Sequence, residues 1–218
     1  MARLVLLGVV HGDPLGESRL LDRLRGLRPS VVTLEVAEFS VAFRHRHGPR
    51  LRALLDRRLA GAGLLSESGP FEWLRRYLDV PFEWTGAERF SRETGSEILS
   101  LGDARDAAKY LDLVEDELLS PGNLLRLAFG DAARDPEAER RRARLLLDEP
   151  ARYVFAGERH ALESRDARVA EEIRRRLRAL GEDAVLAHVG GWEHLVERSD
   201  LPNLAAHLRD LVPERVLV

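Results

Sequence analysis

The sequence predicts an α/β fold: a mixed β-sheet built from N- and C-terminal segments, with flanking helices and a central helical insertion. Two observations carry that expectation. Aliphatic runs near both ends of the chain are continuous and not alternating, the pattern of strands buried on both faces. The first two runs are separated by one amphipathic segment, so that strand, helix and strand fit within about 35 residues, the length of a βαβ unit.

Taken in order, "RLVLLGVV" (3–10) reads as the first buried strand. Asp13 and Pro14 then suit a helix start, Leu20, Leu24 and Leu27 fall on one helical face, and Pro29 stops the helix. "SVVTLEV" (30–36) is the second strand. Apolar residues at helical spacing predict helices over 41–62, 67–78, 103–119, 121–129 and 136–148, punctuated by residues such as Gly61, Pro70, Pro121 and Pro136. "VPFEW" (80–84) and "SEILSL" (96–101) read as further strands. A helix over 163–179, with Val169, Ile173, Leu177 and Leu180 inward, leads into the apolar strand "DAVLAHVGG" (183–191). A short helix over 203–211 and a strand "RVLV" (215–218) follow. The expectation is one domain, its core about 1–37 and 151–218, with a helical insertion about 38–150 that roofs the carboxyl ends of the strands.

Composition narrows the function. Hydrophobic residues make up 44% and charged residues 33% of the 218, as in soluble globular proteins. The formal net charge of −3 gives no reason to expect nucleic acid or an acidic membrane as partner. The arginine runs "ERRRAR" (139–144) and "IRRRLR" (173–178) have acids beside them and read as solvated helix faces. There are no cysteines, so any metal must rest on His, Asp and Glu. The N-terminal apolar run lacks a small-residue cleavage site, and no run approaches the roughly 20 apolar residues of a membrane span. A cytoplasmic protein is expected. No Walker loop, Gly-x-Gly-x-x-Gly or Gly-x-Ser-x-Gly is present.

Three predicted strands end in polar residues: His11 with Asp13, Glu35, and Glu193 with His194. In open α/β sheets ligands bind beyond the carboxyl ends of the strands. Two imidazoles and a carboxylate there suit Mn, Co, Zn or Fe, which activate water or polarise a carbonyl. Gly8, Gly12, Gly190 and Gly191 would let backbone approach a ligand closely. Each residue also has a purely structural reading. His11 suits a hydrogen-bonded turn, Glu35 a helix cap or an arginine partner, and Asp13 an N-cap. Glu193 is a ligand, a general base or an exposed turn residue. His188 suits the core, His45 and His47 the surface, and Trp73 and Trp84 the core or an interface. His160, near Tyr153 and Phe155, is a candidate pocket lining.

The pattern Gly-x-x-His occurs as "GVVH" (8–11) and "GWEH" (191–194), and again as "GERH" (157–160). The first two, with "VVTLEV" between them and "SRDARVAEEI" (164–173) before the last strand "AHVGGWEHL" (187–195), resemble the TraB/PrgY family, which is grouped with the Tiki and GumN-like proteins. The resemblance covers about 1–37 and 155–200. It implies a metal-dependent hydrolase of a peptide or another amide or ester, using Mn or Co in preference to Zn. His11, His194 and Glu35 would then be ligands, with Glu35 alternatively activating water. Arg165 would orient Glu35, hold an anionic group or stabilise developing charge. The chain departs from the family in lacking a signal peptide and a C-terminal membrane segment, and in having Trp192 and Glu193 inside the second motif. The expected partners are a small-molecule or peptide substrate and a second copy of the chain, with no nucleic acid and no membrane. The alternative is a non-catalytic small-molecule or peptide-binding protein using the same pocket.

Overall fold

The structure of the chain, a computed structural model, describes residues 2–64, 69–129, 135–150, 159–197 and 203–218, with backbone only at 159–162. Among them, five strands form one sheet: β1 (Arg3–Val9), β2 (Val31–Leu34), β3 (Glu97–Ser100), β4 (Val185–Gly191) and β5 (Glu214–Leu217). The helices are α1 (Gly16–Leu27), α2 (Glu38–Gly61), α3 (Gly69–Leu78), α4 (Phe82–Thr94), α5 (Ala104–Asp112), α6 (Pro121–Phe129), α7 (Pro136–Asp148), α8 (Arg159–Ala179) and α9 (Leu204–His207). The chain divides into two compact units. One, Met1–Val36, Phe82–Gly102 and Pro136–Val218, holds the sheet. The other, Ala37–Pro81 and Asp103–Asp135, is helical, with Leu51, Leu55, Leu59, Phe71, Leu74, Leu111 and Leu124 in its core.

The expected α/β class and the assembly of the sheet from both ends of the chain are present. The strand order is β3-β2-β4-β1-β5, and every pairing is parallel, where a mixed sheet is expected from sequence. Parallel pairing requires long crossovers, and a helix lies on every connection between consecutive strands. Successive β1 side chains alternate between two apolar layers. Val5, Leu7 and Val9 pack with Leu20 and Leu24 of α1 and with Ala87 and Phe90 of α4. Leu4 and Leu6 pack with Val169 and Ile173 of α8 and with Leu204 of α9. That is why the strand reads as a continuous run: both of its faces are covered.

The sheet-bearing unit is larger than the sequence expectation, because it includes 82–102 and 136–150. "VPFEW" opens α4 and is not a strand. Five residues are too few to display a 3.6-residue period, and the buried Glu83, Ala87 and Phe90 show it only over the whole helix. "SEILSL" does supply the edge strand β3. The helix expected over 103–119 ends at Asp112 and gives way to a π turn over Val114–Leu118. The helix expected from 163 begins at Arg159.

The topology contains a switch point. From β1 the chain crosses by α1, on one face, to β2. From β4 it crosses by α9, on the other face, to β5. Adjacent strands β1 and β4 therefore send their connections to opposite faces, the switch-point arrangement that opens a cleft at the carboxyl ends.

Candidate functional site

Three central strands deliver the site. His11 follows β1, Glu35 follows β2, and His194 lies in a 3-10 turn, Trp192–Leu195, that follows β4. These three side chains and Arg165 of α8 come together; His11 is at the same time a hydrogen-bonded turn residue and Glu35 has an arginine partner, while the cap reading of Glu35 does not hold, since the N-cap of α2 is Ala37.

His11 places Nδ1 2.7 Å from Glu83 Oε1. A carboxylate oxygen can only accept, so Nδ1 carries a proton and Nε2 is the nitrogen left to face the site. Glu83 is 3% exposed. Among the described residues Nε2 of His11 makes no hydrogen bond. The His11 ring is held above its ordinary pKa: the protein around it lowers the value, but the hydrogen bond and charge of Glu83, with Glu35 behind it, outweigh this. One edge of the ring nevertheless meets solvent, with 61% of the side chain exposed.

His194 repeats the arrangement in a more buried place, with 11% of its side chain exposed against 61% for His11. Its Nδ1 lies 2.6 Å from Oδ2 of Asp166, which also accepts from the Leu204 backbone N–H at 2.8 Å. Its Nε2 faces Glu35 Oε1 at 3.0 Å. Glu35 is fixed from the other side, where Oε2 accepts the Gly191 N–H at 2.8 Å. Burial alone would lower the His194 pKa, but the charge of Glu35 and the hydrogen bonds to Asp166 and Glu35 push it up to about 10. Glu35 in turn is held well below the usual carboxylate range: burial raises it, and His194, Arg165 and His11 overcome that.

Arg165 sets Nη2 2.7 Å from His194 Nε2 and Nη1 3.3 Å from Glu35 Oε1. The first contact is a hydrogen bond only when Nε2 is unprotonated; a ring protonated on both nitrogens aims its Nε2–H at Glu35 Oε1, 3.0 Å away. In the charged ring that proton joins Nε2 to Oε1, and once it is gone the two lone pairs need another positive group beside them, a guanidinium or a metal ion.

The glycines serve closeness in two ways. A Cβ on Gly191 would stand 3.0 Å from His11 Nε2 and 3.6 Å from His194 Cδ2, so both rings border the space above this residue. Gly8, by contrast, makes room for protein and not for a ligand. A Cβ there would meet Trp192 Cα at 3.0 Å and Leu195 Cδ2 at 2.9 Å, within the turn that carries His194.

The remaining candidates fall outside the cluster. Asp13 accepts from the Leu15 N–H at 2.9 Å and pairs with Arg19 at 2.6 Å, which is a structural anchor for the start of α1. Glu193 is an exposed turn residue. Trp192 is 4% exposed and donates to Glu139 at 3.1 Å, so it turns inward and offers no aromatic wall to a ligand. His188 is a core residue bonded to Thr33 Oγ1 at 3.0 Å, and burial, only partly offset by Glu35, pushes it down to about 4. His45 is exposed, and His47 packs 4.7 Å from the Phe43 ring. Trp84 packs on the sheet core and Trp73 in the helical unit. The His160 side chain, with Tyr153 and Phe155, lies outside the described residues. In the run at 173–178, Arg174 pairs with Asp210, Arg175 with Glu172, and Arg176 with Glu172 and Glu97.

Sequence reasoning missed the two orienting carboxylates. Asp166 reads from sequence as a first-turn residue favoured by the helix dipole, but α8 begins at Arg159, two turns earlier. A usable signal exists for both. Asp166 shares its helix face with Val169, Ala170 and Ile173, and Glu83 shares its own with Ala87 and Phe90. An acid on an otherwise apolar stripe needs a buried partner.

Two imidazoles and a carboxylate are donor types that a divalent ion takes, and each imidazole is oriented through Nδ1 by a carboxylate, as are the histidines of carboxylate–histidine–metal sites. Among the described residues no three His, Asp or Glu side chains form a ready coordination set. Arg165 stands against the Nε2 atom that such a set would use. No helix among the described residues is long and apolar enough to cross a membrane. No family model, curated protein or solved structure matches this chain.

Proposed function

We propose that this chain is a metal-dependent hydrolase of a peptide or another amide or ester, of the TraB/PrgY type, acting on a small-molecule or peptide substrate in the cytoplasm. The observation that carries the proposal is the double carboxylate backing of the histidines: Glu83 on His11 Nδ1 and Asp166 on His194 Nδ1. This tautomer-fixing arrangement leaves both Nε2 atoms as donors on the Glu35 side.

His11, His194 and Glu35 would hold the ion, with Mn or Co favoured over Zn. A bound ion would polarise the scissile carbonyl and lower the pKa of a water. Glu35 suits ligation better than proton abstraction, because the charges that keep it ionised also make it a weak base. Arg165, beside Glu35, is placed to hold an anionic group of the substrate or the charge that develops on its carbonyl oxygen.

The test is metal content. Untagged wild type and His11→Ala are incubated with Mn, Co or Zn, desalted and assayed for bound metal. About one equivalent in wild type and none in His11→Ala is expected, with protons released into weak buffer at pH 7.5, since the His194 pKa is pushed up to about 10. Equal retention by the two proteins would refute the assignment of His11.

A further inference from the structure

We propose that Arg165 is a tethered cation that occupies the metal position and must be displaced before a divalent ion can bind. This rests on the metal reading above and adds to it a residue that sets the site's affinity.

The geometry separates fixed groups from a movable one. His194 is pinned at Nδ1 by Asp166 at 2.6 Å, and Glu35 is pinned at Oε2 by the Gly191 N–H at 2.8 Å. Arg165 touches Asp166 only at Oδ1, while Oδ2, which holds His194, is also fixed by the Leu204 N–H, so both ligands keep their anchors if the guanidinium leaves. Arg165 touches the site only through its guanidinium: Nη2 on His194 Nε2, Nη1 on Glu35 Oε1, and Nε on Asp166 Oδ1 at 3.4 Å. Its side chain is 36% exposed, against 11% for His194 and 20% for Glu35. It sits on a long flexible arm with a route to water, where a guanidinium is well solvated.

A metal ion at this point needs the lone pairs of both Nε2 and Oε1, and the guanidinium stands against both atoms. Guanidinium and metal ion want the same lone pairs and cannot share them, so one excludes the other. Metal affinity in the wild type is then the intrinsic affinity reduced by the fraction of molecules whose position is vacated. The displaced guanidinium stays within an arm's length of the bound ion, where it can meet an anionic substrate. The same residue thus covers the ligands in the resting site and faces substrate in the loaded one.

The experiment measures metal binding and not turnover. Co(II) is titrated by visible absorption, and Mn(II) by equilibrium dialysis, against wild type, Arg165→Met, Arg165→Gln and the double variant Arg165→Met/His194→Ala. Thermal unfolding checks that each is folded, and the glutamine variant serves if the methionine variant is not. The expected result is binding at least tenfold tighter in Arg165→Met or Arg165→Gln than in wild type, abolished in the double variant. Equal or weaker binding in the single variants, with wild type binding normally, overturns the tethered cation and leaves the metal reading standing. No binding by any protein up to millimolar metal overturns both. Tight binding that survives His194→Ala places the ion elsewhere and also overturns the proposal.

Discussion

Glu83 and Asp166 are buried behind the two rings, and they decide which nitrogen of each histidine is available. Their removal is therefore expected to show in metal affinity before it shows in folding. Glu83→Gln keeps an oxygen acceptor for His11 Nδ1 but loses the negative charge. It is expected to weaken Mn(II) or Co(II) binding about 10–100-fold, read by the same dialysis measurement. An unchanged affinity would mean that Glu83 merely fills its buried position. His11, Glu35 and His194 are legible in sequence because each closes a predicted strand, and a polar residue there needs a reason. Glu83 is legible only as an acid on an apolar helix stripe; that its partner is His11, 72 positions away along the chain, is not.

At the scale of elements, the strand ends and helix spans follow from local pattern, and the exceptions follow from its limits. Helices α6 and α7 match their predicted spans of 121–129 and 136–148, since proline opens each and the apolar period runs through both. The start of α4 is not legible in "VPFEW" because the buried period of Glu83, Ala87 and Phe90 shows only over the whole helix. The 3-10 turn over Trp192–Leu195 depends on close packing against β1 at Gly8. Gly8→Ala is expected to destabilise the fold by about 1–3 kcal/mol in urea unfolding, because the nearest obstacle includes backbone that cannot rotate away. Gly26→Ala in α1 meets nothing within 4 Å and is expected to stabilise by about 0.5–1 kcal/mol. A stabilising Gly8→Ala would show that the turn shifts freely, and that His194 is less firmly held than its packing implies.

Over the whole molecule, the sheet buries a neutral histidine beneath the site, and this makes stability depend on acid. His188 titrates near its ordinary 6.5 in the unfolded chain and at about 4 when folded. Between those values the unfolded chain binds a proton that the folded chain refuses. Its contribution is therefore intact above about pH 6.5 and lost as pH falls towards 4. From pH 7.5 to pH 5, wild type is expected to lose about 2 kcal/mol more stability than His188→Gln, measured by urea unfolding at both pH values. His194 acts in the opposite sense: its raised pKa stabilises fully below 6.5 and is lost as pH rises through about 10. It is common to both proteins, so the difference isolates His188. Equal losses would mean that His188 is protonated in the folded state.

By itself the sequence determined the class of the fold, most element spans, and the identity of the polar residues at the strand ends. All of these are written in short-range periodicity and in the chemistry of single positions. Tertiary structure alone decided that β4 enters between β1 and β2, which brings His194 beside Glu35 and sets His11 across Gly191. It alone decided that Phe82–Gly102 belongs with the sheet, that Glu83 and Asp166 stand behind the two histidines, and that Arg165 lies on His194 Nε2. Strand order and buried charge pairing join residues far apart in the chain, and no local period encodes which distant partner each will meet.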